Sequence, residues 1–119
     1  IGGSIIFISS IVGVLGQPGK VGYSASKGAL ISASKSLALE LASKKIRVNS
    51  VLPAMVKTEM SINLLEKLPD DAKIKIEDMH PLGIGSPDDV ANAVVFLLSD
   101  LSKWITGTSM IVDGGYSSL

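Results

Sequence analysis

The sequence predicts an α/β fold: three parallel strands in a β-α-β-α-β order. Two observations carry that reading. Ser4–Ile8 (SIIFI), Ile46–Leu52 (IRVNSVL) and Ser109–Val112 (SMIV) are short apolar runs rich in β-branched residues, suited to strands buried on both faces. Between them stand longer stretches with helical periodicity or helix-start signals. Strands separated by helices of this length imply a parallel sheet, whose ligands bind beyond the C-terminal strand ends.

Each element follows from local chemistry. After the first strand, residues 11–22 carry Gly13, Gly16, Pro18, Gly19 and Gly22 and read as a loop. From about Tyr23 to Ser43 a helix is expected, in which Ala25, Ala29, Ala33 and Leu37 recur every fourth residue. So small a stripe suits close packing by another backbone or helix. The second strand stops at Pro53, and residues 53–58 form a loop. Residues 59–80 are the most polar stretch and read as one or two short helices around the Pro69-Asp70 break. Ser86-Pro87-Asp88-Asp89 is a helix start: Ser86 as N-cap, Pro87 at the first helical position, and aspartates at the positive helix end. This helix is expected to bury Val90, Ala93, Val94, Leu97 and Leu98. The third strand closes in the Asp113-Gly114-Gly115 turn.

Composition bounds the function. The chain has 119 residues, 46% hydrophobic and 18% charged, enough for one folded domain. Lys+Arg and Asp+Glu balance at 11 each, so no charge excess points to nucleic acid or a membrane surface. With no cysteine, disulfides and thiolate metal sites are excluded. No apolar run approaches the roughly 18 residues of a membrane span, and no signal peptide is read at the start. A cytoplasmic protein is the expectation. His80 stands alone before Pro81, without a partner at metal-ligand spacing, and reads as a surface residue. Asp88 and Asp89 read as helix-start charges, and Trp104 is expected to pack near the last strand.

The chemistry-bearing group is Ser10, Tyr23 and Lys27. Tyr23 and Lys27 are four residues apart and share a helix face. A cation beside a phenol favours the phenolate, which suits a tyrosine to proton exchange near neutral pH. Ser10 supplies a hydroxyl that can hold a carbonyl or alcohol oxygen. Taken alone, Tyr23 and Lys27 would also pass for a half-buried tyrosine with a solvated lysine. Met55, Met60 and Met79 flank the mouth of such a site, either lining an apolar pocket or filling gaps in the core.

These residues resemble a family. The segment GSIIFISSIVG, the YSASK motif at 23–27, IRVNSVLPAMVKTEM and ITGTSMIVDGGYS stand in the order and spacing of the C-terminal half of a short-chain dehydrogenase/reductase. The likeness is strongest to 3-oxoacyl-[acyl-carrier-protein] reductases and covers nearly the whole chain. It implies part of a Rossmann-type doubly wound sheet and a cofactor that is NAD or NADP. It further implies Tyr23 as proton donor and acceptor, Lys27 as its activator and a ligand of the nicotinamide ribose, and Ser10 on the substrate oxygen. Pro53, Ala54, Val56 and Thr58 would form the nicotinamide loop: Val56 through its backbone to the carboxamide, Thr58 to the carboxamide or a phosphate. No metal is implied.

Two departures shape the expectation. The family's Pro-Gly pair is Pro53-Ala54 here, with a methyl where glycine allows close approach. The family's Gly-rich pyrophosphate turn and its catalytic asparagine have no counterpart in residues 1–119. The chain is therefore expected to lack the N-terminal dinucleotide-binding half and to be inactive by itself. The alternative is a non-catalytic interaction module. Either way, an unpaired first strand predicts a homo-oligomer or association with a complementary half. The implied substrate is a small-molecule carbonyl or alcohol.

Overall fold

The computed structural model describes residues 2–119. Its sheet has three parallel strands, β1 (Gly3–Ile8), β2 (Ile46–Pro53) and β3 (Ser109–Val112), in the order β1-β2-β3. β1 pairs with β2 from Gly3 opposite Ile46 to Ile8 opposite Val51, and β2 pairs with β3 from Ser50 opposite Ser109 to Pro53 opposite Val112. Four α-helices connect and flank them: α1 (Val21–Leu41), α2 (Glu59–Glu66), α3 (Asp70–Asp78) and α4 (Pro87–Leu98). The expected order of strands and principal helices is thus present, and the 59–80 stretch resolves into two helices with Pro69 at the start of the second.

The core is built where α1 lies over β2 and α4 packs against β1 and β2. Val48, Val51, Leu52 and Leu97 are fully buried, with Ala38 and Ile11 nearly so. β2 is the central strand, which is why its apolar run is continuous. Its polar residues are also buried and satisfied. Asn49 donates to the Ile105 carbonyl and accepts from the Thr108 amide, both at 3.0 Å, stitching β2 to the loop before β3. Arg47 donates to the Leu97 and Ser99 carbonyls and to Ser102 Oγ, at 2.8, 3.1 and 2.8 Å. It thereby supplies donors that the C-terminal end of α4 lacks.

The helix starts obey their local signals. Ser86 accepts from the Asp89 amide, and the Asp89 carboxylate accepts from the Ser86 amide, a reciprocal cap. The Ser86 amide and then its hydroxyl, both donating to the Asp89 carboxylate, hold that carboxyl below its ordinary pKa. Thr58 and Ser61 form the same box at α2.

Several expectations are corrected. α1 begins at Val21, and a 3-10 turn at Ile11–Gly13 interrupts the loop before it. Its buried face carries Ile31, Ser34 and Ala38, whereas Ala25, Ala29 and Ala33 are exposed. Leu98 is exposed, because a helix with Leu97 facing inward carries the next residue about 100° away from the core. Trp104 is 97% exposed rather than packed. It follows the Asp100–Ser102 turn, which Ser99 caps and Arg47 ties down without it. His80 is buried rather than at the surface, because the end of α3 carries it against the Met55 backbone. No helix among the described residues is long and apolar enough to cross a membrane.

Replacing Asn49 with Leu would leave the Ile105 carbonyl and the Thr108 amide without their partner. Urea unfolding is expected to show a loss of about 2–4 kcal/mol from the two stranded groups. A loss within about 0.5 kcal/mol would contradict the stitching role.

Candidate active site

The parallel sheet brings the segments after β1 and β2 to the same edge. The Ser9 amide donates to the Val51 carbonyl at 2.9 Å, carrying the ladder one residue past β1. Ser10 then turns into the Ile11–Gly13 turn, accepting from the Val12 amide at 3.3 Å as its cap. A serine hydroxyl has one donor and two acceptor positions, so this bond leaves the Ser10 proton available to a ligand.

α1 is locked to that turn. Ser9 Oγ donates to the Lys27 carbonyl at 2.7 Å, and Lys27 Nζ donates to the Ile8 carbonyl at 3.1 Å. The two segments touch at Gly13. A Cβ there would stand 2.9 Å from the tip of Ile31 and 3.1 Å from the backbone of Lys27 and Gly28. Lys27 Nζ lies 5.6 Å from the centroid of the Tyr23 ring, and Lys20 Nζ lies 5.9 Å from it. Two cations thus flank one phenol, about half exposed, at cation–π distance.

A cleft of about 370 Å³ opens here. Ser10, Tyr23 and Ala54 line it, so three of the residues singled out in the sequence meet in one concavity. Met55, Met79 and His80 form part of its wall. Lys27 stands behind Tyr23 rather than on the cleft surface. Met60 is exposed and outside it. A larger concavity of about 540 Å³ sits at the opposite strand ends, between Gly3, Arg47 and Trp104, and holds none of these residues.

The 53–58 segment is held on its far side. Pro53 is the last residue of β2, opposite Val112, and the Ala54 amide donates to the Val112 carbonyl at 3.3 Å. The Gly85 amide donates to the Met55 carbonyl at 3.1 Å, and the Lys57 amide to the Gly85 carbonyl at 2.9 Å. Backbone groups alternate in direction along an extended segment, so the Val56 amide points away from Gly85. Thr58 caps α2, its hydroxyl accepting from the Ser61 amide at 3.2 Å. Ala54 does not need glycine's freedom, because Lys45 is the only non-glycine with positive φ among the described residues.

Sequence reasoning missed two members of this site. His80 is 5% exposed, because the end of α3 carries it against the Met55 backbone and the Tyr116 ring. Tyr116 lies just beyond the Asp113-Gly114-Gly115 turn, where Gly114 and Gly115 take positive φ of 60° and 93°. Burial pushes the Asp113 carboxyl up, but hydrogen bonds from Ser117 and Gly115 outweigh it and hold its pKa below the ordinary value. Among the described residues no cluster of three or more His, Cys, Asp or Glu could hold a metal ion.

A profile of the family described as enoyl-(acyl carrier protein) reductase matches residues 1–117. The chain belongs to the short-chain dehydrogenase/reductase family. Similar relatives include the 3-oxoacyl-[acyl-carrier-protein] reductase FabG of Rickettsia felis, 49% identical over 95% of this chain and 46% of the relative. FabG of Thermotoga maritima is 44% identical over 95% and 45%. Human (3R)-3-hydroxyacyl-CoA dehydrogenase is 47% identical over 95% and 42%. Among solved structures, a short chain dehydrogenase family protein from Francisella tularensis superposes with a TM-score of 0.92 at 40% identity. That match covers the whole of this chain and 52% of the other. ElxO with NADP bound superposes at 0.87 with 35% identity, covering 98% of this chain and 47% of ElxO. The short-chain dehydrogenase/reductase chain described here spans about half the length of the curated relatives it matches.

The Gly13 contact generates a direct test. Gly13→Val pushes branched bulk into the α1 backbone, where only the Ile31 tip can yield. Thermal unfolding is expected to show a loss of about 1–3 kcal/mol, and the Ser10 and Tyr23 resonances should shift together. Unchanged stability and resonances would mean the turn and helix are not in contact.

Proposed function

We propose that this chain carries the catalytic portion of an NAD(P)-dependent oxidoreductase that interconverts a carbonyl and a secondary alcohol, with a 3-oxoacyl thioester as substrate. The observation that carries the proposal is the shared cleft of Ser10, Tyr23 and Ala54, with Lys27 fixed beside the Tyr23 ring. The substrate class rests on the names of the similar relatives, and the use of NAD or NADP is supported by family membership and by the neighbour whose title names bound NADP.

The residues have the donors this chemistry needs. Ser10 directs its remaining proton to the substrate oxygen. Tyr23 donates its hydroxyl proton to that oxygen in reduction and takes it back in oxidation. Lys27 uses one of its three protons on the Ile8 carbonyl and keeps two for the Tyr23 oxygen and a ribose hydroxyl. The nicotinamide group, when bound, supplies or accepts the hydride. The 53–58 segment fits its carboxamide end: the Val56 amide faces away from Gly85, and Thr58 stands at the following helix start. Pro53 and Ala54 fix where that segment leaves the sheet.

In the protein expressed from its native gene, Tyr23→Phe should lower kcat for carbonyl reduction by about 10²–10⁴. Turnover at the wild-type rate would remove Tyr23 from the mechanism. Residues 1–119 alone should bind NADH or NADPH only with a Kd of about 1 mM or weaker by fluorescence titration, because no pyrophosphate turn lies among them. Micromolar affinity would refute that division of labour.

A second reading is an interaction module. Among the described residues β1 pairs only with β2, so its other edge is open there, and Ile5, Ile6 and Phe7 are incompletely buried. Val21 and Leu39 on α1 are also strongly exposed. Such surfaces favour a homo-oligomer or a complementary half. Sedimentation of the 119-residue chain at micromolar concentration is expected to give a species larger than the monomer. A stable monomer would argue against it.

A further inference from the structure

His80 is the only titratable side chain that is buried among the described residues. Its two ring nitrogens face opposite demands. Nε2 lies 3.2 Å from the Met55 amide, a group that only donates. Nδ1 lies 2.7 Å from the Ile76 carbonyl, a group that only accepts. One tautomer satisfies both: a neutral imidazole with the proton on Nδ1 and a lone pair on Nε2. An imidazolium would aim an N–H at the Met55 N–H, and the other tautomer would fail at both contacts.

The backbone of His80 is fixed as well as its ring. The His80 amide donates to the Glu77 carbonyl at 3.0 Å, and its carbonyl accepts from the Gly83 amide at 2.7 Å. Tyr116 packs on the ring with centroids 5.0 Å apart at 50°. The Leu82 amide donates to the Gly114 carbonyl at 2.9 Å, holding the turn that presents Tyr116.

Met55 sits between Ala54 and Val56. His80 holds its amide while Gly85 holds its carbonyl. We infer that His80 is a positioning residue, a neutral Nδ1-protonated latch that fixes the backbone orientation of Met55 and thereby that of the following Val56 amide, which turns away from Gly85. The latch joins the end of α3 to the 53–58 segment across 25 residues of sequence. Its consequence for the cofactor rests on the function proposed above; its geometry does not.

The test uses ¹⁵N-labelled protein expressed from its native gene. Long-range ¹H–¹⁵N correlation should show the neutral His80 ring protonated at Nδ1 and bare at Nε2. His80→Leu should speed amide exchange at Met55 about tenfold while leaving the buried Val51 amide unchanged. His80→Gln, whose side-chain oxygen can take the place of Nε2, should keep exchange within about twofold of wild type. Fluorescence titration with NADH and NADPH should show Kd raised about tenfold by Leu and restored by Gln, with kcat changed far less than KM.

A neutral ring protonated at Nε2 would overturn the latch, as would Met55 exchange indifferent to His80→Leu. Faster exchange with unchanged Kd would overturn its role toward the cofactor. If the wild-type protein binds neither dinucleotide, the functional reading fails, and the tautomer and exchange results alone decide the latch. If His80→Leu does not fold, the wild-type tautomer and the Gln variant still decide it.

Discussion

The pair of crossed hydrogen bonds between the end of β1 and the start of α1 governs the site. The last carbonyl of a strand at a sheet edge has no ladder partner, and Lys27 supplies one to Ile8. Ser9 returns a bond to the Lys27 carbonyl. A long lysine side chain at the surface would otherwise sample many rotamers. Committing its ammonium to a backbone oxygen fixes the charge beside the Tyr23 ring. The absence of a side chain at Gly13 lets the two backbones approach closely enough for both bonds. The placement of Lys27 beside the Tyr23 ring therefore depends on a contact made by neither Ser10 nor Tyr23.

The other wall depends on β2. Its interior carries Asn49 and Ser50, polar groups that are costly to bury unless paired, with Arg47 half-buried beside them. Each is paired, Asn49 and Ser50 with the loop into β3 and with β3 itself, Arg47 with the end of α4. These bonds hold β3 and the following turn in place, and that turn presents Tyr116 to His80. The network that stabilises the central strand thus reaches the cleft through Tyr116, His80 and Met55.

Much of this was legible in the sequence, and the misses share a cause. Strands announce themselves through consecutive apolar residues, and helix starts through caps within three residues. The gathering of Ser10, Tyr23 and Ala54 follows from parallel topology alone. His80 leaves no such trace. A lone histidine before a proline reads as surface, because its burial is set by a hydrogen bond to Met55, far away in sequence. Trp104 misled in the opposite sense: a large aromatic promises packing, but the turn around it closes through Arg47 and Ser99 without its ring. The small-residue stripe on α1 is present as a pattern, yet the face that meets this sheet is the one bearing Ile31, Ser34 and Ala38. Periodicity identifies a face but not the surface that covers it.

The cleft has two walls, one from the Ser10 turn and the start of α1, the other from Ala54, Met55 and the α3 end with Tyr116 behind it. What sets their separation is the ladder between β1 and β2, and its last bond runs from the Ser9 amide to the Val51 carbonyl. Ser10 and Ala54 leave the sheet within three residues of that bond. Side chains alternate across a strand, so a slip of one residue would turn the Ser10 hydroxyl to the opposite face. The pairing of Asn49 with Ile105 and Thr108 opposes such a slip in β2, since it would strand the amide. The register that pairs Asn49 is therefore the same constraint that brings the Ser10 hydroxyl and Ala54 to one cleft.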